Sequence, residues 1–168
     1  MLAEKYAAQI EKILAKYPSK RSAVMPLLLM SQEEYGYITE DGIIEVAQIV
    51  GEDPTAVKSV AGFYSMYSKR PKGKYWLQVC TDLPCALRGA DQFYEDLKAY
   101  LEITEDGGTS PDGLFTVEHV MCLAACDKAP MLQCNFHFVE NLDMEKMKAQ
   151  IAEWRAESAG SKTAKKKP

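Results

Sequence analysis

The chain has 168 residues, 47% of them hydrophobic, with a net charge of -4; that is enough apolar material for one medium domain or two small ones. Lys162, Lys165, Lys166 and Lys167 all fall in the last seven residues, so residues 1–161 carry -8, with 16 Lys and Arg against 24 Asp and Glu. So acidic a body argues against a nucleic-acid surface, which needs clustered positive charge. Met1 to Lys12 mixes charge with helical apolar spacing and does not read as a signal peptide, and no run reaches transmembrane length. The expected compartment is the cytosol, where thiols stay reduced and clustered cysteines serve as metal ligands more often than as disulfides.

The first 70 residues read as a four-helix region. Tyr6, Ile10, Ile13, Leu14 and Tyr17 make one apolar stripe that Pro18 stops. A second helix starts near Ser22; its stretch from Val24 to Met30 is apolar nearly all round, with Pro26 tolerated near the first turn. Thr39 is the N-cap of a third, with Glu40 and Asp41 at the positive dipole end, Ile43, Ile44, Ala47 and Val50 inward, and Gly51 as its stop. Asp53 and Pro54 start the fourth with a cap and a first-turn proline.

The segment Lys69-Arg-Pro-Lys-Gly-Lys74 marks a boundary, giving a helical domain over 1–70 and an α/β domain over 71–157. Tyr75 to Cys80 reads as a strand. A helix follows from Pro84 to about Leu101, with Leu87, Phe93, Tyr94, Leu97 and Tyr100 toward the core. Asp106 to Gly113 is a loop of turn residues. Strands are expected near Leu114 to His119, Met131 to Asn135 and His137 to Glu140, then a helix from Asp143 to Ala156 carrying Met144, Met147, Ile151 and Trp154. The basic stretch 158–168 reads as a disordered tail. The whole is an α+β chain, helices first and then a small mixed sheet with helices on it.

Two tight cysteine pairs, Cys80-x4-Cys85 and Cys122-x3-Cys126, carry the chemistry. A 2Fe-2S rhomb needs two thiolates on each of two irons, which two short pairs from separate loops supply. Cys80 closes a strand and Cys85 opens a helix behind Pro84, so free N–H groups and a helix dipole are expected to favour the cluster's negative charge. Structural zinc also takes four thiolates with short spacers, and spacing leaves it open. Cys134 reads as one side of a strand, and His119 and His137 lie outside any ligand spacing. There is no nucleotide-binding glycine motif, no His-Glu-x-x-His and no Gly-x-Ser-x-Gly, so this chain shows no nicotinamide, flavin or nucleotide pocket.

Three segments taken together, Val60-Ala-Gly-Phe-Tyr-Ser-Met-Tyr67, Cys80-Thr-Asp-Leu-Pro-Cys-Ala-Leu-Arg-Gly89 and Cys122-Leu-Ala-Ala-Cys-Asp-Lys-Ala-Pro-Met131, resemble the thioredoxin-like 2Fe-2S subunit of NADH:quinone oxidoreductase, respiratory complex I. The resemblance spans nearly the whole chain and points to the NADH-dehydrogenase module of that complex. It implies a thioredoxin-like α/β domain behind the helices, with Cys80, Cys85, Cys122 and Cys126 as metal ligands of the 2Fe-2S cluster. It also implies a larger flavin- and NADH-binding partner, whose FMN exchanges single electrons with the cluster, and further iron-sulfur subunits beside it. In that family the cluster stands to the side of the main electron route, as a reservoir or a tuner of the flavin. A cytoplasmic place, peripheral to the inner membrane and without membrane insertion, follows. Related subunits serve NAD-linked hydrogenases and formate dehydrogenases, and a zinc-stabilised interaction module is the reading from another class. Two positions depart from the pattern: Ala124 stands where glycine is usual, and Cys134 where an apolar strand residue is usual. Phe63, Tyr64, Met66 and Tyr67 are expected either in the core or on a docking surface.

Overall fold

A computed structural model describes residues 1–164. The chain divides into two compact units, Met1–Pro71 and Lys72–Pro168.

In the first unit the expected opening helix is broken at Tyr6 into α1 (Leu2–Lys5) and α2 (Ala7–Leu14). Glu45 pins this start, accepting the Leu2 N–H at 2.8 Å. A 3-10 turn (Lys20–Ala23) then leads into α3 (Val24–Tyr35), followed by α4 (Glu40–Val50) and α5 (Pro54–Phe63). The caps act as the sequence leads one to expect: Thr39 Oγ1 accepts the Gly42 N–H at 3.0 Å, Asp53 Oδ1 accepts the Thr55 N–H at 2.7 Å, and Gly51 closes α4 at φ 74°. Leu27, Leu28, Ile43, Val46, Ala47 and Val57 fill the interior, but Ile44 lies outside it, 42% exposed. A Cβ on Gly42 would run into Ser31 Oγ, so α3 and α4 approach closely there, over a serine hydroxyl that is buried without a partner among the described residues. Buried Gln32 clamps the exit of the unit by donating to Met66 O and accepting from Ser68 N–H.

The second unit is built on β1 (Tyr75–Cys80), β2 (Gly108–Thr109), β3 (Phe115–Val120), β4 (Leu132–Cys134) and β5 (His137–Val139), in the order β2-β3-β1-β4-β5. Central β1 runs parallel to β3 and antiparallel to β4. The two residues of β2 lie inside the expected loop and add a strand to the sheet. The helices of this unit are α6 (Leu83–Ala86), α7 (Ala90–Tyr100) and α8 (Met144–Ala164). The single helix expected over 84–101 is interrupted at Gly89, whose φ of 90° ends one turn and starts the next. That break turns Leu87 out, 79% exposed, and Tyr100 is also at the surface, so neither is the core residue expected; Phe93, Tyr94 and Leu97 are buried.

Strand alternation divides the sheet. Leu77 and Val79 of β1, Phe115 and Val117 of β3, and Leu132 and Cys134 of β4 share one core with α7 and with Met147 and Ile151 of α8. Trp154 stacks on Tyr75 at 5.0 Å, which stacks in turn on Phe115 at 5.4 Å. Trp76, Gln78 and Cys80 therefore face the other way. Instead of a tail beginning at 158, α8 continues to Ala164, and Ser158 is buried with its hydroxyl 3.0 Å from Lys74 Nζ; residues 165–168 of that expected tail lie outside the described residues. No described helix is long and apolar enough to cross a membrane.

Candidate metal centre

The two cysteine pairs meet because β1 and β3 are parallel neighbours. Cys80 and Val120 are register partners, and the Thr81 N–H donates to Val120 O at 3.1 Å, so the loops after both strands leave the same sheet end. The first loop supplies Cys80 and Cys85 and the second supplies Cys122 and Cys126.

The pairs differ in environment. Cys80 and Cys85 are each 1% exposed, packed with Ala90, Ala129 and Met131. Cys122 is exposed and Cys126 half-buried. Desolvation, then the neighbouring Cys80, and after these Cys126 and Cys122, push the Cys85 thiol up to about 12. Cys126 is raised too, first by desolvation and then by Cys122. Thiols gathered this closely resist ionisation, and positive metal would reverse that repulsion by replacing the protons.

Among the described residues no three His, Cys, Asp or Glu side chains form the cage of a single ion. Cys80 acts most strongly of the thiols on Cys85 and Cys122 on Cys126, while Cys122 and Cys126 also act on Cys85. Four thiols supplied as two short pairs are a donor set that fits a 2Fe-2S rhomb, which takes two thiolates on each of two irons. Small residues, Ala124 and Ala125, flank the outer pair, and the Ala124 N–H donates to Cys122 Sγ at 3.3 Å. Ala124 adopts φ 60°, the left-handed conformation that glycine takes without cost, so the departure noted in the sequence falls on a position that does require it.

The backbone of the inner loop differs from expectation. α6 is a single turn, and the Cys85 N–H donates to Asp82 O at 2.8 Å, so it is not free to face a cluster. The outer loop is held by Asn141 N–H on Lys128 O and Leu142 N–H on Pro130 O, both 2.8 Å, beside a cis Ala129-Pro130 bond. Those tethers come from beyond β5, and no local pattern points to them.

Cys134 pairs with Leu77 and lies in the main core, on the opposite sheet face from Cys80; burial raises its thiol to about 11. His119 is engaged elsewhere, with Nδ1 3.1 Å from Asp106 Oδ1. His137, on β5, is exposed. The aromatic stretch divides: Tyr67 is buried and donates to Met25 O at 3.0 Å, whereas Phe63 is 82% exposed.

A small mixed sheet that brings two thiol pairs to one end, with helices packed on it, has the layout of a thioredoxin-like scaffold. Residues 10–155 match the family described as thioredoxin-like [2Fe-2S] ferredoxin, and the chain belongs to that family. Its cofactor is a 2Fe-2S cluster. Among curated relatives, "NADH-quinone oxidoreductase subunit 2" of Thermus thermophilus is 44% identical over 150 residues, 88% of this chain and 82% of the relative. An NADH-quinone oxidoreductase subunit of Rhizobium meliloti is 38% identical over 88% of each chain. Another, of Mycobacterium tuberculosis, is 37% identical across 91% of this chain, which spans only 60% of that relative. In fold, the chain is similar to a solved NAD+-reducing [NiFe]-hydrogenase in the air-oxidized state, with a TM-score of 0.66 at 20% identity over 78% of this chain and 23% of the other. Family and relatives together make this an electron-transfer protein of the oxidoreductase class.

Proposed function

We propose that the chain is the electron-transfer subunit of an NADH-quinone oxidoreductase and that Cys80, Cys85, Cys122 and Cys126 hold its cluster. The carrying observation is the convergence of these four thiols at one end of β1 and β3, two buried, one half-buried and one exposed. The bound cluster supplies one-electron storage and transfer. Cys80 and Cys85 fix the inner half to the sheet, and Ala124 directs its N–H at the Cys122 sulfur, favouring added negative charge there.

The electron donor in this reading is FMN on a flavin- and NADH-binding partner, with further iron-sulfur subunits in the same assembly. Relatives named as NADH-quinone oxidoreductase subunits at 37–44% identity favour this assembly over an NAD-linked hydrogenase, which is matched at 20% and in fold alone. A peripheral place on the cytoplasmic side of the membrane goes with this assembly.

Anaerobic reconstitution of the full chain with iron and sulfide tests the site. The expected product is brown, with two irons and two sulfides per chain in accord with the cluster type and a paramagnetic signal on reduction. A colourless protein retaining zinc would replace this reading with the interaction module. Isolation of the native complex then identifies the neighbours; a flavoprotein oxidising NADH is expected among them.

A further inference from the structure

Strand register singles out one side chain that the ligand set leaves unused. Leu132 and Cys134 of β4 pair with Val79 and Leu77 and point into the main core. Alternation turns Met131 to the opposite face, the face of Cys80, and the Cys80 N–H donates to Met131 O at 3.3 Å. Met131 is 0% exposed and packs in one cluster with Cys80, Cys85, Ala90 and Ala129. The other fully enclosed members besides the cysteines are alanines, so the long thioether side chain provides most of the buried apolar bulk around the inner pair. The outer pair has no such cover, since Cys122 is exposed.

We infer that Met131 is a positioning residue that keeps water from the Cys80–Cys85 half of the cluster and thereby holds its reduction potential low. This rests on the four-cysteine reading above. The physical basis is charge: four thiolates on an oxidised 2Fe-2S core give a net -2, and one electron makes it -3. A low-dielectric wall disfavours the more highly charged state, so it opposes reduction. Solvent access or a polar group in its place stabilises the reduced state and raises the potential. With the inner side dry, the added electron is better stabilised toward the Cys122–Cys126 side, where water and the Ala124 N–H are available.

The test is a redox titration of the full chain loaded with cluster, followed by visible absorption and by the paramagnetic signal, with iron and sulfide counted in every sample. Met131→Leu keeps an apolar side chain of similar volume and is expected to leave the midpoint in place. Met131→Gln keeps the length and introduces an amide; it is expected to favour reduction about tenfold, 59 mV for a one-electron couple. Equal midpoints for the two variants at full cluster content overturn the inference, as does a shift in Met131→Leu as large as that in Met131→Gln. If the glutamine variant does not take up cluster, Met131→Ala gives the same measurement: a raised midpoint supports the inference and an unchanged one overturns it. Wild-type chain that takes up no iron and sulfide overturns the ligand reading itself, and this inference with it.

Discussion

The two cysteine loops share one task in the proposed site but are held by different means. In the first, Cys80 is the last residue of the central strand and Cys85 lies in a hydrogen-bonded turn, both 1% exposed and packed against Met131. In the second, Cys122 and Cys126 sit in an irregular segment shaped by a left-handed Ala124, a 3-10 turn and two tethers from residues 141 and 142. Cys80 is fixed by the sheet and Cys85 by its buried, hydrogen-bonded turn. The outer pair is held by a few loop hydrogen bonds. In the proposed site one half is scaffold and the other an adjustable loop, the first walled off and the second open to solvent.

The sharpest way to break that contrast is to replace one thiol in each half by serine. A serine oxygen binds iron at shorter range than sulfur, so the protein must close the difference. Cys85→Ser, buried beside Cys80 in the hydrogen-bonded inner turn, is expected to lose nearly all cluster on reconstitution. Cys122→Ser, in the adjustable loop, is expected to keep a cluster with shifted visible bands. Iron and sulfide counts beside the absorption spectrum read both; equal retention in the two variants would remove the distinction between scaffold and loop.

The next effect tests the scaffold alone. A Cβ at Gly73 would come within 2.5 Å of Leu114 O and 2.8 Å of Phe115 N, backbone that cannot swing aside as a side chain does. Gly73 leads directly into β1, and its N–H donates to Thr116 Oγ1 at 2.7 Å. Gly73→Ala is expected to lower stability by about 1–3 kcal/mol, the usual range for forcing atoms into a packed site. Chemical denaturation of the metal-free chain measures it, and a loss of a few tenths at most would show that the strand entrance has slack.

How far the amino-acid order revealed these features depends on how local their causes are. β1 was legible to the residue because its run of β-prone and apolar positions ends at Cys80, and α4 because Thr39 and Gly51 are local start and stop signals. The four candidate ligands were legible from spacing and flanking motifs together. Gly89 alone does not mark a break, since an isolated glycine within a helical pattern can be tolerated. The outward turn of Leu87 follows from that break and is invisible without it. The tethers from Asn141 and Leu142, the burial of Ser158 and the facing of Met131 toward Cys80 arise from contacts between distant segments. No window of neighbouring residues contains that information.

The fifth cysteine sharpens the comparison by lying on the other sheet face. Burial raises the Cys134 thiol to about 11, from an ordinary value of 9.0. A group whose pKa is higher in the folded state stabilises the fold fully below the unfolded value and loses that contribution as pH climbs through the folded one. Cluster-loaded protein is thus expected to lose stability between about pH 9 and pH 11 as Cys134 is forced to ionise, in accord with that shift. Cys134→Ala should keep full cluster content and show a shallower decline across that window. Denaturation midpoints at neutral and alkaline pH decide it, and loss of the visible bands in this variant would move Cys134 into the ligand set.

The smallest expected effect falls on the adjustable half. Ala124 pays for its φ of 60° in steric strain, while its N–H reaches the Cys122 sulfur at 3.3 Å whichever side chain the residue carries. Ala124→Gly removes the methyl clash and keeps the donor, but frees the unfolded chain; the net gain is expected at roughly 0.5–1 kcal/mol. Because the hydrogen bond survives, the cluster's potential should remain at the wild-type value while the loop forms more readily and iron uptake on reconstitution quickens. A shift in potential with no gain in stability would mean that the methyl group itself shapes the sulfur's surroundings, and that the outer loop is as fixed in place as the inner one.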